Sequence, residues 1–159
     1  MYNVGDHVVY PMHGAGVIVA IEEREVLGEK QEYYIMALPI GDMKVMIPLK
    51  SVEELGLRQI SSDETVQRVY QILQGEQTAM SSNWNRRYRA NMEKIKSGDI
   101  LEVAEVVRNL TIRENEKGLS TGERKMLENA RQILLSELVI AENSTEEEIV
   151  EKIAGFFES

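Results

Sequence analysis

Few side chains in this 159-residue chain are of a type and spacing that do chemistry. The two histidines, His7 and His13, flank a short apolar run, with Asp6 beside the first. Their spacing is not the i, i+4 of a helical metal pair, and on a turning strand it fixes no ligand geometry. Both read as turn or surface residues, and Asp6 and Asp42, each following a glycine, read as turn residues. Cysteine is absent, which excludes a disulfide framework, a thiol nucleophile and thiolate zinc sites. Gly14-Ala15-Gly16 is a turn with no phosphate-loop lysine after it, and no serine nucleophile elbow occurs. The expectation is a protein without catalytic residues, metal, cofactor or small-molecule substrate.

The unusual segment is Asn83-Trp84-Asn85-Arg86-Arg87-Tyr88-Arg89-Ala90-Asn91. It holds the single tryptophan, followed closely by three arginines with a tyrosine among them. Residues 84–96 carry five basic side chains and one acidic one, in a chain whose net charge is −9. Guanidinium groups suit phosphates. A helix N-terminus adds free N–H donors and positive potential. A flat apolar ring beside them is able to wedge at a base step, as apolar side chains do in minor-groove binders. The competing reading is structural: Trp84, Tyr88, Met92 and Ile95 form an apolar stripe at helical spacing, which by itself favours a buried Trp84 and a solvated arginine face.

Charge limits the nucleic-acid reading. About four or five phosphate contacts on an acidic protein give weak, salt-sensitive binding, with Kd on the order of 10⁻⁴ M or poorer. Such a segment works only when something else holds it near DNA, where a tether raises its local concentration to about the millimolar range. The expectation is a bipartite protein, one part docked on a DNA-bound machine and the other touching DNA. No recognition helix with base-reading side chains is evident, so sequence-specific readout is not expected.

The elements that must position these residues fall into two halves. The first 60 residues read as strands: His7–Tyr10, Gly16–Ile21, Glu32–Leu38 and Lys44–Ile47, punctuated by Gly14-Ala15-Gly16, Leu27-Gly28 and Pro39-Ile40-Gly41-Asp42. Four or five short strands fit a small, curved SH3-like or Tudor-like barrel, whose open edge is able to pair with a partner's sheet. After residue 60 the period changes to that of helices. Capping boxes begin at Ser61, Asp99, Ser120 and Ser144. Stripes run through Val66, Val69, Tyr70 and Leu73, through Val103, Val106, Val107 and Leu110, and through Met126, Leu127, Ala130, Ile133, Leu134 and Leu138. The fold class is α+β, a β-barrel followed by an all-α bundle of about five helices. The acidic stretch Glu142–Ser159 carries Ile149, Val150, Ile153, Phe156 and Phe157, the pattern of a last amphipathic helix packed on the bundle. No apolar run approaches membrane-spanning length and no secretory leader is evident, so a cytoplasmic protein without membrane contact is expected.

Several motifs resemble the CarD/CdnL bacterial transcription regulators. They are Val4-Gly5-Asp6-His7-Val8-Val9-Tyr10-Pro11-Met12-His13-Gly14, the Asn83–Asn91 segment, Ser97-Gly98-Asp99, Val103-Ala104-Glu105-Val106-Val107-Arg108, Gly118-Leu119-Ser120, Glu123-Arg124-Lys125-Met126-Leu127 and Ala130-Arg131-Gln132-Ile133-Leu134. The opening motif alone is also similar to a module of transcription-repair coupling factors. The resemblance implies that residues 1–57 form a Tudor-like domain that binds the RNA polymerase β subunit, and that residues 61–159 form a helical domain that meets promoter DNA. It implies that Trp84 wedges into the minor groove at the upstream edge of the transcription bubble. Arg86, Arg87 and Arg89 lie beside it on the DNA, assisted by Arg124 and Lys125. On the docking side it matches Arg24 to an arginine of the polymerase-binding surface. A second position, basic in the family, is Met46 here, with Lys44 two residues away on the same strand face. The implied function is stabilisation of the open promoter complex. The rival is a polymerase-bound adaptor with no DNA contact, which burial of Trp84 favours.

Overall fold

The computed structural model describes residues 1–158; Ser159, the last residue of the expected helical domain, lies outside the described residues. Five strands, β1 (His7–Tyr10), β2 (Gly14–Val26), β3 (Glu29–Ala37), β4 (Lys44–Pro48) and β5 (Arg58–Gln59), form one antiparallel sheet in the order β4-β3-β2-β1-β5. The β2–β3 hairpin is longer than its alternating core suggests, because its charged outer half continues the ladder to Val26↔Glu29. A register shift between Ile18 and Ala20 bends β2. Val8, Ile18, Tyr34, Met36 and Ile47 close the inner face into a small core, with the Tyr34 hydroxyl donating to the Tyr2 carbonyl at 3.0 Å.

Among the described residues there are six α-helices, α1 (Val52–Leu55), α2 (Asp63–Leu73), α3 (Trp84–Lys96), α4 (Ile100–Glu116), α5 (Thr121–Ala141) and α6 (Glu146–Phe156). The expected count of about five is corrected: α1 is a single turn inside the strand half, too short to show a helical stripe. The three expected stripes of α2, α4 and α5 are buried in one core. Two caps shift by one residue. Ser62 caps α2 and Thr145 caps α6, accepting from Thr65 N and Glu148 N at 3.3 and 3.2 Å. Ser61 binds Glu137 instead. α6 buries Ile149 and Ile153 and sets Phe156 edge-on to Tyr70 at 5.7 Å, but Val150 points outward, 43% exposed, contrary to its expected packing.

Sheet and bundle are fastened to each other. Arg58 of β5 reaches across to α5, where its Nη1 and Nη2 donate to Glu137 at 2.9 and 2.8 Å, and its Nε donates to the Gly98 carbonyl at 2.6 Å. Ser61 completes the carboxylate's shell with its N–H and hydroxyl, at 2.9 and 2.6 Å. Nearby, Gly14 sits at φ +108°, so close to α5 that a Cβ there would fall 2.5 Å from Ser136 Oγ. That hydroxyl accepts from Ala15 N–H at 2.8 Å. Among the described residues, no helix is long and apolar enough to cross a membrane.

Candidate nucleic-acid interface

Asn83 opens α3 as its N-cap, accepting from Arg86 N–H at 3.0 Å, which places Trp84 at the first helical position. The indole is 42% exposed. One ring face stacks on Tyr88, centroids 4.9 Å apart and planes 18° from parallel. Its Nε1 donates to Ser120 Oγ at 2.9 Å. Ser120 is the N-cap of α5, so this bond joins the N-termini of α3 and α5. Gly122 lies beside the ring, where a Cβ would meet the indole at 3.4 Å, an ordinary van der Waals contact.

The arginines divide. Arg86 and Arg89 are exposed on α3, and among the described residues neither has an ion-pair partner. Arg87 is corrected as a surface contact: its side chain is 4% exposed, and its Nε and Nη2 donate to the two oxygens of Glu123 at 2.8 and 3.1 Å. Its Nη1 holds the Ser81 and Ser82 carbonyls. The physical reason is geometric. The buried face of α3 is Arg87, Asn91 and Ile95, one helical step round from the apolar stripe, so Trp84, Tyr88 and Met92 line its margin. An ion pair this deep is tolerated because both charges are fully hydrogen-bonded. The bond from Arg87 holds the Glu123 carboxyl below its ordinary range against the opposing effect of burial, and the same bond pushes Arg87 up.

Arg124 and Lys125, in the second turn of α5, are exposed on the helix whose start holds the indole. Arg124 leans on Glu114 at 3.5 Å, a solvated pair of little energetic weight. Two residues missing from the sequence expectation belong to this site, Ser120 and Glu123. They were visible only as a capping box; that the box faces the tryptophan is a tertiary fact.

The docking candidates lie together on the sheet. Arg24 opposes Gln31, Met46 opposes Ile35 and Lys44 opposes Ala37, so strand alternation puts Arg24, Lys44 and Met46 on one face around Ile35. Met46 is 43% exposed, and Arg24 is held by Glu22 at 2.8 Å. β4 is an edge of the sheet. The histidines stand apart from both surfaces: His13 stacks on Tyr10 at 4.1 Å and His7 is exposed. No group of His, Asp or Glu among the described residues has the arrangement of a metal site.

Residues 68–154 match the family described as CarD, C-terminal domain, and residues 2–61 match the CarD-like/TRCF RID domain. The chain is 43% identical over 149 residues to the "Putative transcription factor YdeB" of Bacillus subtilis (strain 168), covering 94% of this chain and 97% of that one. Among solved structures, the N-terminal domain of Myxococcus xanthus CarD is similar at 36% identity, covering 37% of this chain and 79% of that chain with a TM-score of 0.33.

Proposed function

We propose, from the premise that this chain belongs to the CarD family of transcription factors, that it docks on RNA polymerase and stabilises the open promoter complex. Residues 2–61 are the polymerase-interaction domain of that family. In this reading the Tudor-like part, residues 1–57, meets the polymerase β subunit through the face of Arg24, Lys44 and Met46 and the open edge at β4. The part from residue 61 onward reaches promoter DNA. Trp84 wedges into the minor groove at the upstream edge of the bubble and opposes its collapse. Arg86 and Arg89 hold the backbone, with Arg124 and Lys125 behind them. Arg87 is no longer among the DNA contacts; it holds Glu123. The work is done in the cytoplasm on the transcription machinery and needs no covalent chemistry.

The observation that carries the reading is Trp84 itself: a large ring left 42% exposed at a helix start, with Arg86 and Arg89, neither ion-paired among the described residues, beside it on an acidic protein. Apolar wedging at a base step, with cationic side chains on the flanking phosphates, uses each of these features. Docking through the sheet supplies the tether that so few phosphate contacts require.

The test is the lifetime of open complexes formed by purified bacterial polymerase on a promoter fragment, challenged with competitor DNA. The full-length protein should prolong it. Trp84→Ala should lose most of that extension, about tenfold for a side chain worth about 1.4 kcal/mol, while still binding polymerase. An unchanged lifetime with polymerase binding intact would leave the adaptor reading in its place.

A further inference from the structure

We infer that Ser120 is a positioning residue for Trp84, holding the indole in its working orientation before DNA arrives. The inference rests on the wedge reading above and adds to it the device that aims the wedge.

A serine hydroxyl has one proton to give and two lone pairs to offer. At Ser120 all three are spoken for. The oxygen accepts from Trp84 Nε1–H at 2.9 Å and from Glu123 N–H at 3.2 Å, and the hydroxyl proton points to Glu123 Oε1 at 3.2 Å. Glu123 is in turn immobile, 2% exposed and gripped by Arg87 at 2.8 Å. The buried ion pair therefore orients the hydroxyl so that a lone pair faces the indole. Tyr88 supports one face of the ring and Ser120 ties its N–H edge. The residue is still 42% exposed. An exposed tryptophan without such a tie samples several rotamers and must be ordered on binding; here the ordering is already in place.

Because Trp84 is the only tryptophan, its fluorescence reads this device in the free protein. Ser120→Gly removes the hydroxyl, and glycine is well tolerated at an N-cap. Ser120→Thr restores it. The expected result for Ser120→Gly is lower anisotropy and altered indole emission in the free protein, with polymerase binding retained. Its extension of the open-complex lifetime should fall about fivefold, the weight of one net hydrogen bond. Ser120→Thr should recover both readouts. Trp84→Phe, which keeps a ring but has no N–H, gives the second line: its loss should not deepen when combined with Ser120→Gly. Should Ser120→Gly fail to fold, hydrogen exchange of the indole N–H in the wild-type protein decides, slowed exchange supporting the tie and free exchange overturning it. Unchanged anisotropy in Ser120→Gly, or strictly additive losses in the double variant, overturns the inference. If Trp84→Ala leaves the lifetime unchanged, the wedge reading fails instead, and the anisotropy still decides whether the tie exists.

Discussion

The side chain that changes role most between sequence and structure is Arg87. Three arginines close behind a tryptophan read as one basic face, yet the middle one is turned inward to Glu123, with the pair 4% and 2% exposed. Removing one partner of such a pair strands the other charge. Glu123→Gln is expected to cost about 3–5 kcal/mol at neutral pH, read by urea unfolding. The pH dependence has a definite sign. Glu123 titrates below the unfolded value of 4.5 because Arg87 hydrogen-bonds its charged form. Its contribution is therefore complete above that value and is lost as pH falls through the lower, folded-state value. The stability gap between wild type and Glu123→Gln should be constant from pH 7 to about pH 5 and close only in stronger acid. A gap that closes near neutrality would mean that Glu123 is not held by the arginine.

At the scale of elements, the decisive contact is the start of β2 against α5. Gly14 satisfies two demands at once, a φ of +108° and an approach to Ser136 that leaves no room for a Cβ. Ser136 has little freedom to retreat, since its hydroxyl is shared between Ala15 N–H and the Ile133 carbonyl, both in the buried seam. Gly14→Ala is expected to destabilise by about 2–3 kcal/mol, the sum of a disfavoured backbone conformation and overpacking. Denaturant unfolding checks the size, and a loss below about 0.5 kcal/mol would show that the seam yields. The α3 start makes a contrasting case. Asn83 is an ordinary N-cap by sequence, but because it begins the helix one residue before Trp84, it also sets where the indole leaves the backbone.

For the whole molecule, what matters is how the proposed docking surface is joined to the proposed DNA-facing one. A flexible joint would let Trp84 wander even with the sheet fixed on its partner. Instead Glu137, 2% exposed, gathers four hydrogen bonds from Arg58 and Ser61, and Arg58 also holds the Gly98 carbonyl just after α3. The strand half, the linker and α5 meet at one carboxylate, and Arg58 ties in the turn after α3. Glu137→Gln keeps the shape but loses charge and acceptor capacity. If the proposed function holds, it should shorten the lifetime of the open complex while leaving affinity for polymerase unchanged, because the proposed docking face is untouched. Equal lifetimes for Glu137→Gln and wild type would show that orientation between the halves does not limit the effect. The net charge of −9 sets a further condition on the whole. Binding to duplex DNA without polymerase should be weak and nearly indifferent to sequence. It should decline steeply with salt in a mobility-shift titration from about 50 to 200 mM, a decline that measures released counterions.

The residues alone were enough for the strand half, the helical half and the buried stripes of α2, α4 and α5, because alternation, 3.6-residue periodicity and capping are local properties written along the chain. They were also enough to single out Trp84 and its basic neighbourhood. They could not say which arginine faces inward, since Arg86, Arg87 and Arg89 differ only in azimuth on α3, and azimuth is set by what packs against the helix. Nor could they reveal that the Ser120 capping box lies under the indole, or that Ser61 leaves its expected cap to bind Glu137: each joins residues more than 30 positions apart. Local patterns carry the elements. The pairing of distant polar groups, which must find partners once water is excluded, belongs to the tertiary fold, and it is that pairing which ties the exposed Trp84 to Ser120.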